Sequence, residues 1–249
     1  MVSSSAESYG AFAYAYDAAL GRRFWRAAKL LLERSLDEMP PARRTHLDLA
    51  CGTGYAIEFF TERGFASTGI DLSIPMLTMA KSRARSRIAA DFRALPLRTT
   101  FARITCLYDS LNHMKERDDL VAAFRAASGV MDRDSLFLFD VNHPEIYPEI
   151  WGSQDPFVAS GADFHLEIDT RFRDGIGRAL VSGWAKIGGK RVKIRERHEQ
   201  RAWSERDLRA ALAEAGLESV SVENFDPYGE QAIIDAPTVK LFFTVRKLR

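Results

Sequence analysis

The strongest indication of the fold of this protein is the stretch Leu47-Asp48-Leu49-Ala50-Cys51-Gly52-Thr53-Gly54-Tyr55-Ala56. Its apolar start is typical of a short strand, and the glycines at 52 and 54 indicate a tight turn that opens a helix. Glycine lets the backbone approach a ligand closely, and the free amides at the start of a helix attract negative groups. The stretch therefore predicts a ligand site at the end of a strand.

The same turn argues against a dinucleotide site. A dinucleotide-binding fingerprint requires a third glycine, which would fall at position 57, and this chain has Ile57 there. A nucleotide-binding oxidoreductase is therefore disfavoured.

Regular alternation of strands and helices surrounds this stretch. An amphipathic helix at 21–38 precedes it, and Pro40-Pro41 ends that helix. The other predicted elements of this part are strands at 46–50, 66–70, 87–90, 104–108 and 135–139, and helices at 74–86 and 118–131. Strands that alternate with helices form a mostly parallel sheet covered on both faces.

The pattern changes between Val141 and Trp203, where strand-like stretches follow one another without helices. These stretches are 165–172, 178–187 and 191–202. A helix-capping signature at Ser204 marks the return of the α/β pattern. Strands at 217–225 and 239–245 are its last predicted elements. The predicted fold is therefore α/β, a doubly wound, seven-stranded, mostly parallel sheet with an antiparallel β insertion after strand five.

Charge, hydropathy and cysteine count exclude several classes of protein. The 249 residues include 35 Lys and Arg against 34 Asp and Glu, and a net charge of +1 gives no global attraction to nucleic acid or an anionic membrane. No apolar run has the length of a bilayer span, and the first residues do not form a secretory signal, so we expect a cytoplasmic protein. Cys51 and Cys106 lack the number and spacing of a disulfide framework or a zinc site, so no metal is predicted.

Acidic residues follow the next two predicted strands. Asp71 ends the second strand, in the register at which a carboxylate meets the ribose of a nucleoside. Asp91-Phe92 ends the third strand and offers a carboxylate and an aromatic face near the expected position of an adenine. Together with the glycine turn, these residues predict a site for a nucleoside.

In order and spacing, these motifs resemble the class I S-adenosylmethionine-dependent methyltransferases over roughly 44–139. The resemblance implies a Rossmann-like fold, methyltransferase activity and S-adenosyl-L-methionine as cofactor. We expect Tyr16 and Trp25 to cover the cofactor, because an aromatic face favours the sulfonium cation. The cofactor-binding residues that this interpretation implies are Tyr16, Trp25, Asp48, Ala50, Gly52, Gly54, Asp71, Leu72, Met76, Asp91, Phe92 and Tyr108.

A narrower likeness concerns the acceptor. The segments Ala15-Tyr16-Asp17, 108–114 and Glu196-Arg197-His198 are similar to small-molecule methyltransferases with an inserted sheet, including those that N-methylate amino sugars. This likeness implies a small-molecule acceptor bound by Tyr16, His113, Glu196 and His198, and methylation at nitrogen rather than oxygen. It also implies a main domain of residues 1–140 and 204–249, with a helical lid at 1–43 and an acceptor-side cap at 141–203.

Methyl transfer requires an in-line, deprotonated acceptor, and His113 is the candidate base because imidazole titrates near neutral pH. His113 is also consistent with a loop histidine bonded to backbone, and Glu196 and His198 with a solvated face of a basic strand. A small-molecule O-methyltransferase and a non-catalytic cofactor-binding module remain alternatives. Nucleic acid is disfavoured as acceptor, because the basic residues of 191–201 alternate with apolar ones. The acceptor's identity and the oligomeric state stay open.

Overall fold

The structure is a computed structural model that describes residues 9–153, 155–227 and 239–248. Parts of the expected lid and of the last α/β segment therefore lie outside the described residues. Among the residues that are described, no helix has both the length and the hydrophobicity that crossing a bilayer requires.

The helices and strands follow the predicted alternation. Helix α1 (Ala13–Tyr16) continues through a π-helical turn (Asp17–Gly21) into α2 (Arg22–Glu38). The other helices are α3 (Tyr55–Glu62), α4 (Ile74–Met79), α5 (Arg117–Gly129) and α6 (Glu205–Glu214). The strands are β1 (Thr45–Leu49), β2 (Ala66–Asp71), β3 (Ser86–Ala89), β4 (Arg103–Cys106), β5 (Leu136–Asn142), β6 (Phe157–Gly161), β7 (Phe164–Arg173), β8 (Ile176–Ile187), β9 (Lys190–Arg201), β10 (Leu217–Phe225) and β11 (Lys240–Lys247).

Seven strands form one sheet in the order β10-β11-β5-β4-β1-β2-β3. The pairs among β1 to β5 are parallel, whereas β11 runs antiparallel to both β5 and β10. Strands β6 to β9 form a second, antiparallel sheet, and all four fall between β5 and α6. The predicted fold class is confirmed, including the inserted antiparallel sheet.

Several local features differ from the sequence-based prediction. The helix predicted over 74–86 ends at Met79 and continues only as a short 3₁₀ turn (Ala80–Ser82). Strand β6 was not predicted, because four of its five residues are exposed and its sequence therefore has no alternating buried face. The π-helical turn at 17–21 also lacked a sequence signal, since its residues continue an ordinary helical pattern.

The core lies on both faces of the parallel sheet. Every residue of β5 is buried, and Phe139 on this strand stacks on Phe243 of β11 with ring centroids 4.7 Å apart. On the opposite face Phe60 of α3 packs against Phe59 and Phe65. Burial of each such ring stabilises the fold by about 1.5–3 kcal/mol. The well-packed sheet in turn positions the loops at its carboxyl edge.

Candidate active site

The turn between β1 and α3 has the left-handed backbone that its glycines allow. Ala50, Gly52 and Gly54 have φ of 53°, 51° and 89°. A Cβ placed on Gly52 would meet no atom within 4 Å, so open space lies directly over this residue. The glycine therefore leaves a stretch of backbone that a ligand can approach closely.

Asp71 ties the end of β2 to this turn. One carboxylate oxygen accepts a 2.8 Å hydrogen bond from the Gly52 amide, and the other accepts a 2.8 Å bond from the Ser73 amide. Burial raises the pKa of Asp71, while these amides oppose the rise. The carboxylate has about four acceptor positions, so it can still accept from a ligand's hydroxyl groups.

Asp48 lies buried on β1 at the base of the turn. Its carboxylate accepts a 2.5 Å hydrogen bond from the Thr105 hydroxyl, which lies 2.9 Å from Nε2 of the buried His46. Burial raises the pKa of Asp48 to about 7, against the lowering effect of Thr105. His46 and Thr105 were not among the predicted site residues, because the sequence around each is typical of an ordinary strand position.

The remaining predicted cofactor-binding residues, two of which were expected near the adenine, differ in their burial and partners. Arg93 pairs with Asp91 at 2.6 Å and with Asp119 at 2.6 Å, and the hydrogen bonds from Arg93 lower the pKa of Asp91. Phe92 is buried in the core, as is Met76, whose amide donates to the Ser73 hydroxyl. Leu72 is half-buried beside them.

Two of the four aromatic residues predicted to bind the cofactor, Tyr16 and Tyr108, lie where a ligand can reach them. Tyr108 lies with its ring 3.9 Å from that of Phe24 and donates a 2.9 Å hydrogen bond to the Gly21 carbonyl. The rings of Tyr16 and Tyr108 are 6.2 Å apart, and both line the cavity described below. Trp25 instead stacks on Tyr55 of α3 at 5.6 Å and is not part of that lining.

The N-terminal segment, residues 9–21, is fastened to the glycine turn through Asp17. Its carboxylate accepts a 2.5 Å hydrogen bond from the Thr53 hydroxyl and forms a 2.7 Å ion pair with Arg83. Arg83 also lies over the ring of Tyr55, 4.0 Å from its centroid. Asp17 was not among the predicted site residues, although its neighbour Tyr16 was.

A cavity of about 190 Å³ lies between the N-terminal segment, the carboxyl edge of the main sheet and the inserted sheet. Its lining residues are Tyr9, Phe12, Tyr16, Leu20, Phe24, Tyr108, Asp109, His113, Asn142, Ile146, Ile150, Trp151, Ile168, Thr170, Ala179, Val181, His198 and Gln200. Every layer of the structure contributes to this lining, so the cavity exists only once the inserted sheet packs over the main one.

His113 is brought into this cavity by a 3₁₀ turn (Ser110–His113) after β4. Its Nε2 lies 3.5 Å from both the Tyr9 hydroxyl and the Gln200 side-chain nitrogen. Burial, reinforced by His198, lowers the pKa of His113 to about 4. The imidazole is therefore neutral at pH 7 and holds a proton weakly.

Glu196 and His198 lie on β9, but only His198 is part of the described lining. Glu196 accepts hydrogen bonds from the backbone amides of Tyr9, at 2.7 Å, and Phe12, at 3.3 Å. Nε2 of His198 is buried 3.4 Å from the Glu196 carboxylate, in a geometry that forms no hydrogen bond. Glu196 thus holds the N-terminal segment in place, whereas His198 faces the cavity.

A buried charge cluster under the cavity was not predicted. Nζ of Lys240 lies 2.5 Å from Asp109 and 2.8 Å from Asp140. Asp140 also accepts hydrogen bonds from the backbone amides of Tyr108, at 2.6 Å, and Asp109, at 3.0 Å. A charged residue at the start of the buried strand β11 was the one sequence signal for this cluster.

Comparison with known proteins agrees with this architecture. Residues 47–134 match a family profile described as a methyltransferase domain. YqeM of Bacillus subtilis (strain 168), a putative methyltransferase, is 31% identical over 151 residues, which cover 57% of this chain and 60% of that protein. This chain thus matches about three fifths of the length of that curated relative.

Two further likenesses extend over more of the chain. A dTDP-3-amino-3,4,6-trideoxy-alpha-D-glucopyranose N,N-dimethyltransferase of Streptomyces venezuelae is 25% identical over 202 residues, covering 79% of this chain and 84% of that protein. The crystal structure of an S-adenosylmethionine-dependent methyltransferase from Clostridium acetobutylicum ATCC 824 superposes with a TM-score of 0.81 at 24% identity. That superposition covers 96% of this chain and 98% of the other.

Residues 47–134 thus match a methyltransferase domain, and the strand order and the glycine turn with Asp71 have the arrangement of the class I S-adenosylmethionine-dependent methyltransferases. The site has the chemistry that this cofactor requires. The open space over Gly52 admits a close ligand, the carboxylates of Asp71 and Asp48 accept hydrogen bonds, and the aromatic faces of Tyr16 and Tyr108 suit a sulfonium.

Proposed function

We propose that this protein transfers a methyl group from S-adenosylmethionine to an amine nitrogen of a small molecule, by in-line displacement. The observation that carries the proposal is the cavity of about 190 Å³, which contains His113 and is roofed by the N-terminal segment. A roofed cavity of this size suits a compact small molecule rather than a nucleic-acid strand. The same segment is tied to the glycine turn through Asp17 and Thr53, so the two sites adjoin.

The preference for nitrogen is supported by the Streptomyces venezuelae relative, whose name describes an N,N-dimethyltransferase of an amino sugar. This chain matches 84% of the length of that relative, which includes more than the cofactor fold. We therefore favour an amine over an alcohol as the acceptor of this chain.

In the proposed reaction the cofactor supplies, when bound, a methyl carbon that is already electrophilic. Asp71 and Asp48 would hold it on one side, and Tyr16 and Tyr108 would face its sulfonium. The inserted sheet and the N-terminal segment exclude water and fix the acceptor, and such positioning alone provides much of the rate gain. The acceptor reacts as the free amine, so the ammonium form first releases its proton to water. A neutral His113 then accepts a hydrogen bond from the amine and orients its lone pair toward the methyl carbon.

The test is direct. The protein is incubated with methyl-labelled S-adenosylmethionine and a panel of amino sugars, simple amines and matched alcohols, and products are identified by mass spectrometry. We expect the label on nitrogen. Label on oxygen alone contradicts the amine assignment, and calorimetric cofactor binding without any product indicates a non-catalytic module. Gly54→Ala is the background control, because a φ of 89° disfavours any side chain there.

A further inference from the structure

The loop after β4 presents an acidic side chain to the cavity from an unusual backbone. Tyr108 and Asp109 are consecutive non-glycine residues with φ of 62° and 50°. Both amides point to one carboxylate, that of Asp140, which is buried on β5. A side chain in this conformation persists only where the surroundings impose it, and such positions concentrate at functional sites.

The charges beneath the cavity do not cancel. Lys240 is fully buried and is shared between the carboxylates of Asp109 and Asp140. Two amides and an ammonium on Asp140 favour its ionised form, although burial raises its pKa. Among the described residues, two ionised carboxylates against one ammonium give this cluster a net charge of −1.

Asp109 is the member of this cluster that reaches the cavity. Its side chain is 21% exposed, and the amide nitrogen of Gln200 donates to the carboxylate oxygen that Lys240 does not contact. Among the described lining residues, Asp109 is the one Asp, Glu, Lys or Arg. Each of its oxygens retains a lone pair for a ligand.

The walls around Asp109 are aromatic. Tyr9, Phe12, Tyr16 and Trp151 all line the same cavity, and Tyr9 stacks on Phe12 at 5.7 Å. Aromatic faces attract cations, and a negative charge partly enclosed by protein does so more strongly than one in bulk water. An anionic molecule would meet repulsion from the same group.

We propose that Asp109 is the specificity-determining residue of the acceptor site and selects a compact molecule that carries an ammonium group. Lys240, Asp140 and Gln200 are positioning residues that hold the carboxylate in place. The inference concerns binding alone, and it rests on the proposed function in treating this cavity as the acceptor site.

The experiment measures binding without turnover. Cyclohexylamine, cyclohexanol and cyclohexanecarboxylate share one ring and differ in charge, and each is titrated calorimetrically at pH 7 into protein saturated with S-adenosylhomocysteine. We expect the ammonium to bind at least tenfold more tightly than the alcohol, and the carboxylate to bind most weakly. Equal affinity for the ammonium and the alcohol in the wild type overturns the proposal, whatever the variants do.

Asp109→Asn removes the charge and keeps the size, and asparagine tolerates the left-handed backbone. This variant should lose most of the preference for the ammonium while its affinity for cyclohexanol stays unchanged. The matched control is Asp174→Asn, since Asp174 has a φ of 55° and an 84% exposed side chain on the turn between β7 and β8. A preference retained in Asp109→Asn overturns the assignment.

Two further measurements, of cofactor binding and of methylation, distinguish this inference from a role of Asp109 in cofactor binding and from the proposed function. If Asp109→Asn weakens binding of S-adenosylmethionine but not of S-adenosylhomocysteine, the carboxylate serves the sulfonium and the proposal is overturned. If the wild type shows the Asp109-dependent preference but methylates no amine, the cation site stands and the proposed function fails. If amines are methylated but their binding does not depend on Asp109, the proposed function stands and the cation site fails.

Discussion

The backbone amide of Tyr9 donates a 2.7 Å hydrogen bond to the carboxylate of Glu196, so the N-terminal segment is fastened to strand β9 across 187 residues of sequence. The same carboxylate accepts from the amide of Phe12. The sequence suggested Glu196 as an acceptor-binding residue, whereas the structure places it where it holds the N-terminal segment over the cavity.

Glu196→Gln should weaken the attachment of the N-terminal segment to β9. Glutamine keeps one carbonyl oxygen and loses the charge, and a hydrogen bond to a charged group contributes about 1.5–3 kcal/mol. We expect the amides of residues 9–16 to exchange with deuterium roughly tenfold faster, measured by mass spectrometry, and the KM for the acceptor to rise. Glu199→Gln on the same strand is the control, because Glu199 pairs with Lys115 and Arg178 instead. Unchanged exchange of the segment would show that other contacts hold it.

Asp71→Asn should weaken cofactor binding. The substitution removes the charge and places an amide group near the amides of Gly52 and Ser73. A loss of about 1.5–3 kcal/mol corresponds to a roughly 10- to 100-fold weaker Kd for S-adenosylmethionine, measured by calorimetry. Asp163→Asn, on an exposed turn of the inserted sheet, serves as the control. A Kd like that of the wild type would remove Asp71 from the cofactor site.

His113 should make stability depend on pH. Its pKa of about 4 in the folded state lies below the 6.5 of an unshielded imidazole, so between these values the unfolded chain binds more protons. The free energy of unfolding therefore falls as the pH drops from about 6.5 to 4, by on the order of 1–3 kcal/mol from this residue. In His113→Gln the slope of denaturant-derived stability against pH should be smaller. His165→Gln on the inserted sheet is the control, and equal slopes in all three proteins would contradict the shift.

The same variant tests the catalytic role of His113. An imidazole with a pKa of about 4 removes a proton from an ammonium poorly, so we expect kcat to fall less than tenfold. The pH profile of kcat should keep its shape, and cofactor affinity should not change. A loss of 10²-fold or more, with a changed acidic limb, would instead establish His113 as the base, which is the role that its sequence context suggests.

Gly69 should prove necessary for packing behind the glycine turn. A Cβ on Gly69 would lie 2.7 Å from Sγ of Cys51 and also clash with Ile57. Gly69→Ala should therefore destabilise the fold by about 1–3 kcal/mol, the range for an overpacked core, and weaken cofactor binding. Gly129→Ala, where a Cβ meets no atom within 4 Å, should have the stability of the wild type in denaturant titration. Equal stability of both variants would mean that the turn can shift.

Local sequence determined the core of the fold. Residues 47–56 predict the turn because glycine chemistry acts within a few residues, and β10 begins and ends where the alternation predicted. Two of the elements that were missed, β6 and the π-helical turn at 17–21, have no local pattern that distinguishes them from loop and helix. The position of Asp71 was predictable for the same reason as the turn, since adjacent parallel strands end at one edge.

The cavity that we propose as the acceptor site depends on the tertiary structure. Strand β11 enters the sheet between β5 and β10, and this order brings Lys240 to Asp109 across 131 residues of sequence. The inserted sheet likewise brings Glu196 to Tyr9 and His198 toward His113. How these layers pack together decides the burial that lowers the pKa of His113. It also decides that Asp109 is the one Asp, Glu, Lys or Arg among the described residues that line the cavity. Periodicity and turn chemistry act locally and are visible in the sequence, whereas contacts between distant strands depend on sheet order and packing.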